Sequence, residues 1–361
     1  MSDVFRTPDE RFVGLPGYGF EPHWFEGDGP RLHYVDEGAG DPVVCFNGEP
    51  TWAFLYRKMV GPLVAAGWRV ICPDYAGFGR SDKPTDRRWY SYERHVELVS
   101  ALLGTLDLRG ATVVVQDWGG PIGLRWAVEN AGRVARLVIL NTGLFTGRVS
   151  KGFMAWRDFA ERNPDLPVGF VIKSATASEL PADVVAGYEA PFPTPESKAG
   201  AAQFPLLVPT ADDQPGAAEM RAVADELSHW EKPALVAFSD SDPVFPYPRA
   251  GQVFCDRIPG AGEQVRIEGA AHFLQEDRGE ELAELIAAFV PVRGERPAEG
   301  RALAVDRYAV GTFSSAPTRC APSRAASAWA SCRFTWPQST FSKNASTYLL
   351  RPSGVAPKSR A

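Results

Sequence analysis

The chain has 361 residues, 45% of them apolar and 23% charged, with 38 Lys or Arg against 44 Asp or Glu and a formal net charge of −6. These are globular proportions with ample material for a core, and the acidic balance argues against a general nucleic-acid binder or a polybasic membrane surface, both of which need clustered cations. Five scattered cysteines (Cys45, Cys72, Cys255, Cys320, Cys332), none in a Cys-x-x-Cys spacing, exclude a disulfide framework and a zinc pattern, and no run approaches the roughly 18 apolar residues of a membrane span. The N-terminus has no apolar core of the signal-peptide kind, so the expectation is a cytoplasmic protein without metal. Length alone suggests two to three domains.

In chain order, His33 lies in an alternating early strand, and Val43 to Phe46 and Val70 to Cys72 follow as apolar runs without alternation. Val99, Leu102, Leu103 and Leu106 then have helical spacing, and Val113 to Val115 and Leu137 to Leu140 are further unbroken runs. Leu235 to Phe238 and a strand-like Val265 to Ile267 come later, before a second helical spacing at Leu282, Leu285, Ile286 and Phe289. Unbroken runs are what strands buried on both faces look like. Their alternation with helices predicts an α/β fold, a mostly parallel sheet flanked by helices.

About ninety residues interrupt the pattern, with helix-like pieces only around Phe153 to Arg162 and Pro181 to Tyr188. Long insertions in sheet proteins gather over active sites, so residues 143–230 are expected to form a helical cap between core segments 1–142 and 231–296. Residues 297–361 carry nine Lys or Arg against two acids and are rich in Ala, Ser and Pro. They read as a basic interaction tail or as a disordered extension that buries too little to offset its ordering entropy.

Gln116-Asp117-Trp118-Gly119-Gly120 follows a buried run and opens a helix-like stretch, the setting of a nucleophile elbow with Asp117 in the exposed position. Asp117 could equally be a helix cap. Asn47-Gly48-Glu49-Pro50 ends an earlier run with a turn, and backbone N–H groups of Glu49 and Trp118 would make an oxyanion hole. Of five histidines, His272 alone sits just after a late strand; His33, His95 and His229 read as surface or hydrogen-bonded histidines. The acid orienting it would follow the preceding strand, where Asp240 and Asp242 are both available.

Glu49-Pro50-Thr51-Trp52, Pro73-Asp74-Tyr75-Ala76-Gly77-Phe78-Gly79-Arg80-Ser81-Asp82-Lys83-Pro84, Val115 to Gly120 and Ala271-His272-Phe273 together resemble the haloalkane dehalogenases of the α/β-hydrolase superfamily. The resemblance spans roughly residues 1 to 295 and is closest to the subfamily with its second halide-binding tryptophan in the cap. It implies that Asp117 is the nucleophile, Asp242 rather than Asp240 the acid, His272 the base, Trp118 and Trp156 the halide-binding pair, and Phe153, Phe204, Pro205 and Val208 pocket residues. It also implies a cofactor-free hydrolase that turns a haloalkane and water into a primary alcohol, halide and a proton through an alkyl-aspartate ester, acting as a monomer. Asn47 departs from the family, which usually has His there, and no carboxylate occurs from Val138 to Arg157, where another branch places its acid. An epoxide hydrolase would want two cap tyrosines, and Tyr188 is the one tyrosine between Gly143 and Trp230. A fluoroacetate dehalogenase would want a cation beside the nucleophile, where Trp118 stands. A noncatalytic binding protein of the same fold would lack a member of the triad.

Overall fold

The computed structural model describes residues 3–147, 149 and 151–289; the basic 297–361 segment lies outside them. Apart from short 3₁₀ turns, the chain runs β1 (Val4–Phe5), β2 (His23–Phe25), β3 (Leu32–Glu37), β4 (Pro42–Phe46), α1 (Arg57–Ala65), β5 (Arg69–Pro73), β6 (Lys83–Pro84), α2 (Tyr92–Thr105), β7 (Ala111–Gln116), α3 (Gly119–Glu129) and β8 (Val134–Leu140). Five helices come next: α4 (Lys151–Arg162), α5 (Val168–Ser174), α6 (Ala182–Glu189), α7 (Ala199–Leu207) and α8 (Ala217–Leu227). The chain then returns with β9 (Ala234–Ser239), α9 (Arg249–Arg257), β10 (Val265–Ile267) and α10 (Leu274–Phe289).

Eight strands form one sheet in the order β10-β9-β8-β7-β4-β5-β3-β2. The six from β10 to β5 are parallel; β3 and β2 join antiparallel at one edge, which the apolar runs did not foretell. Every residue of β4, β7 and β9 is buried, and each large aliphatic or aromatic side chain so enclosed contributes about 1.5–3 kcal/mol. The register pairs Phe46 with Val115, Gln116 with Leu140, Leu140 with Ala237, and Ser239 with Ile267. The carboxyl ends of these strands therefore stand in one row, the edge where open α/β sheets place their sites.

Between β8 and β9 the described residues contain helices and no strand. The expected pieces are α4 and α6; α5, α7 and α8 were not foreseen. Helix α7 is apolar except for Gln203 and contains Gly200 and Pro205, so it shows neither an amphipathic period nor a run free of breakers. Arg157 of α4 donates from one guanidinium nitrogen to the carbonyls of Pro205, Leu206 and Val208 at 3.1, 2.8 and 3.1 Å, joining α4 to the end of α7.

The spare histidines separate by environment. His33 is buried and its Nδ1 lies 2.8 Å from Asp74; His229 is exposed and its Nδ1 lies 3.0 Å from the Asp225 carbonyl. His95 corrects the expectation of a surface or hydrogen-bonded ring: it is wholly buried beside Phe204, Tyr75 and Tyr90, with no hydrogen-bond partner for either nitrogen among the described residues. Burial lowers its pKa to about 3, so it stays neutral.

Candidate active site

Asp117 follows β7 directly and takes a left-handed backbone, φ +50°. Among non-glycine residues Asp is one of the few that tolerate this, at a cost of order 1 kcal/mol. The conformation is held on both sides. The Asp117 N–H donates to the Asn141 carbonyl at 3.0 Å, and the Asp117 carbonyl accepts from the Thr142 hydroxyl at 2.6 Å and the Gly120 N–H at 2.9 Å. The following glycines are steric necessities: a Cβ on Gly119 would stand 2.1 Å from the Phe46 carbonyl oxygen, and one on Gly120 1.9 Å from Thr142 Oγ1. Trp118, not Asp117, occupies the N-cap of α3.

The Asp117 carboxylate faces two partners. Its Oδ1 accepts from the Glu49 backbone N–H at 2.9 Å, and Oδ2 lies 3.6 Å from His272 Nε2. Burial raises the Asp117 pKa, while His272 and the backbone N–H groups of Trp118 and Glu49 pull it back. Gly48 makes this approach feasible, because a Cβ there would be 2.3 Å from Asp117 Cβ. The Glu49 side chain is buried, and that burial, reinforced by the Asp117 charge, drives its pKa well above the carboxylate range. Asn47 donates its amide to Thr51 O at 2.9 Å and Gly48 O at 3.3 Å, closing the same turn from within.

His272 Nδ1 lies 3.0 Å from Asp242 Oδ2, and the other Asp242 oxygen accepts from the Val244 N–H at 2.7 Å. Asp240 is turned elsewhere, accepting from Arg266 at 3.0 Å and the Gly269 N–H at 3.1 Å. Burial lowers the His272 pKa, but the charge and hydrogen bond of Asp242 and the charge of Asp117 outweigh it, and the net shift is upward. Two amides not foreseen from the sequence hold this histidine. Asn141 donates to the carbonyls of Ala271 and His272 at 3.0 and 3.1 Å, and Gln116 donates to His272 O at 3.2 Å. Each is the last residue of a strand or the next one along, and that position is the signal that could have found them.

Aromatic rings wall the space above Asp117. Trp118 is buried, with Phe204 at 5.2 Å and Phe145 at 5.5 Å between ring centroids. Phe145 stacks on Phe153 of α4 at 6.5 Å and on Phe245 at 6.3 Å, and Phe245 stacks on His272 at 5.9 Å. Phe145 and Phe245 were not foreseen. Pro205 and Val208 are buried at the end of α7. Trp156 is half-buried on α4, one turn beyond Phe153, with its ring stacked on Phe159 at 5.9 Å. Tyr188 points away from this space, its hydroxyl donating to Glu276 at 2.6 Å.

A carboxylate at an elbow, two N–H groups upon it and an aspartate–histidine pair following β9 and β10 are a hydrolase's apparatus, and residues 41–279 match the α/β hydrolase fold family, to which the chain belongs. It is 47% identical over 300 residues to a haloalkane dehalogenase of Psychrobacter cryohalolentis, covering 80% of this chain and 98% of that protein. It is also 50% identical over 303 residues to haloalkane dehalogenase 1 of Mycobacterium bovis, covering 78% and 97%. The structure of a tetrameric haloalkane dehalogenase from Paraglaciecola agarilytica superposes with a TM-score of 0.75 at 34% identity, over 78% of this chain and 97% of that one. Within the fold family the chain is therefore a haloalkane dehalogenase, a hydrolase acting on carbon–halide bonds.

Proposed function

We propose that the chain hydrolyses small apolar haloalkanes in two covalent steps. Asp117 Oδ2 attacks the carbon bearing the halogen; a C–O bond forms, the C–X bond breaks with its electron pair, and halide leaves. A carboxylate suits this step because it is ionised near neutral pH without a base. The indole N–H groups of Trp118 and Trp156 receive the halide, each such bond to a charged partner contributing about 1.5–3 kcal/mol. His272, held by Asp242, then takes a proton from water as the oxygen adds to the Asp117 carboxyl carbon. The N–H groups of Glu49 and Trp118 stabilise the oxyanion on Oδ1. Collapse releases the primary alcohol and restores the carboxylate, so haloalkane and water become alcohol, halide and a proton.

The observation that carries this reading is the two-sided setting of Asp117, one oxygen on the Glu49 N–H and the other facing His272. The aromatic walls favour an apolar substrate, with residues 143–230 acting as the cap and Phe153, Phe204, Pro205 and Val208 lining it. The epoxide alternative loses its remaining cap acid, since the Tyr188 hydroxyl is committed to Glu276. Conversion of alkylating halides to alcohols is a detoxifying chemistry, and we assign it to a cytoplasmic monomer; sedimentation velocity and cell fractionation check those two points.

The test is halide release from 1-bromobutane and 1,2-dibromoethane, together with intact mass of His272→Phe after exposure to substrate. The variant should gain the mass of one alkyl group on Asp117. Epoxide turnover without halide release, or an unmodified mass, would overturn the mechanism.

A further inference from the structure

The loop carrying His272 is gripped by the inserted helices as well as by the sheet. Just after α5, the Ala175 carbonyl accepts from the N–H of Phe273, the residue following the histidine, at 3.1 Å. Asp277 holds the other side. Its Oδ2 accepts from the N–H of Ala271, the residue preceding the histidine, at 2.9 Å. The same carboxylate accepts from the Ala177 N–H at 2.9 and 3.1 Å, the Ser178 N–H at 2.8 Å and the Ser178 hydroxyl. Next to it, Glu276 accepts from Tyr188 of α6 at 2.6 Å and from both terminal nitrogens of Arg57 at 2.7 and 2.8 Å. Arg278 breaks α10 with φ −138° and ψ 38°, so the turn bearing Glu276 and Asp277 is separated from the body of that helix. One carboxylate thus fixes the backbone beside the catalytic imidazole to a segment of the insertion.

We propose that Asp277 is a positioning residue for His272, making the placement of the base depend on the seating of the cap, so that ester hydrolysis senses the cap contact at residues 175–178 while alkylation does not. The asymmetry follows from where each step finds its parts. Alkylation uses Asp117, whose oxygen is held by the N–H of Glu49 after β4, with Trp118 at the elbow and Trp156 on α4 as its halide donors, and all of these lie outside the 175–178 segment. Hydrolysis additionally needs His272 Nε2 within reach of both water and the ester carbon, and displacement of a catalytic group by about 1 Å can cost on the order of 100-fold. This inference rests on the reading of His272 as the base.

The test is single-turnover chemistry with enzyme in excess over 1,2-dibromoethane, following bromide and alcohol as separate time courses in Asp277→Ala, Asp277→Asn and the unaltered full-length chain. For Asp277→Ala the bromide rate should stay within about twofold while the alcohol rate falls tenfold or more and the alkyl-enzyme builds up by intact mass. Asp277→Asn keeps one acceptor oxygen and should fall in between. Bromide and alcohol rates that drop in equal proportion, as a general loss of folded protein would produce, or an unchanged alcohol rate in both variants, overturn the proposal. Where Asp277→Ala does not fold, Asp277→Asn carries the comparison. His272→Phe, run in parallel, separates the two failures: without an alkyl adduct in that variant the base assignment itself falls, and this inference with it.

Discussion

In the proposed cycle the charge on Asp117 changes, and His272 feels it. In the free enzyme the Asp117 carboxylate is one of the groups that hold the imidazole pKa above its ordinary value. In the proposed mechanism esterification removes that charge, so the His272 pKa is lower in the alkyl-enzyme than in the free enzyme, at the stage that uses the neutral base. Protonated Nε2 cannot accept a proton from water, so hydrolysis is lost as pH falls through this lower pKa. The acid limb of single-turnover alcohol release should therefore lie below the His272 pKa titrated by NMR in the free enzyme; an equal or higher limb contradicts the argument. Trp156→Phe should weaken bromide binding about ten- to hundredfold, the loss of one charge-assisted hydrogen bond, measured by quenching of intrinsic fluorescence. Unchanged quenching would place the second halide donor elsewhere. Asp117 was legible in the sequence because it follows an unbroken buried run, and His272 because it alone of the five histidines comes just after a late strand-like stretch. Asp240 and Asp242 share one turn, and only their partners, Arg266 for one and His272 for the other, separate them. Asn141 and Gln116 were missed as histidine holders: their bonds to His272 cross 131 and 156 residues, and their place at strand ends was the one mark they carried.

At the scale of the elements, the site depends on turns in which a side chain of any size would intrude. Gly48→Ala would set a methyl against Asp117 and displace it from the Glu49 N–H. Halide release should fall at least 100-fold, with about 1–3 kcal/mol lost from stability, checked by steady-state rates and denaturant unfolding; full activity would show that the turn can yield. The central strands were legible because burial on both faces removes polar alternation. Helix α8 also carried a usable signal, with Met220, Val223, Ala224 and Leu227 at helical spacing, whereas α5, only seven residues long, is too short to show a period. The antiparallel edge was hidden because its strands are only partly buried, and the unbroken runs mark fully enclosed ones.

For the whole molecule, the relatives from Psychrobacter and Mycobacterium are covered at 97–98% of their length by about four fifths of this chain, and the match to the α/β hydrolase fold family ends at residue 279. A chain ending at residue 296 should keep the halide-release rate within about twofold and unfold at the same temperature; loss of either would give residues 297–361 a part in the enzyme. The bonds between the insertion and the core also mark seams for exchanging parts with a relative. Helices α4 and α7, which carry the proposed pocket residues Phe153, Trp156 and Phe204, are tied to each other through Arg157 and would have to be transplanted as a pair. The stretch from Ala175 to Tyr188 belongs with the recipient, because its bonds end on Phe273 beside His272 and on Glu276 and Asp277 at the start of α10. A chimera cut along those lines alters which substrates are admitted and leaves the machinery that hydrolyses the ester in the hands of the original protein.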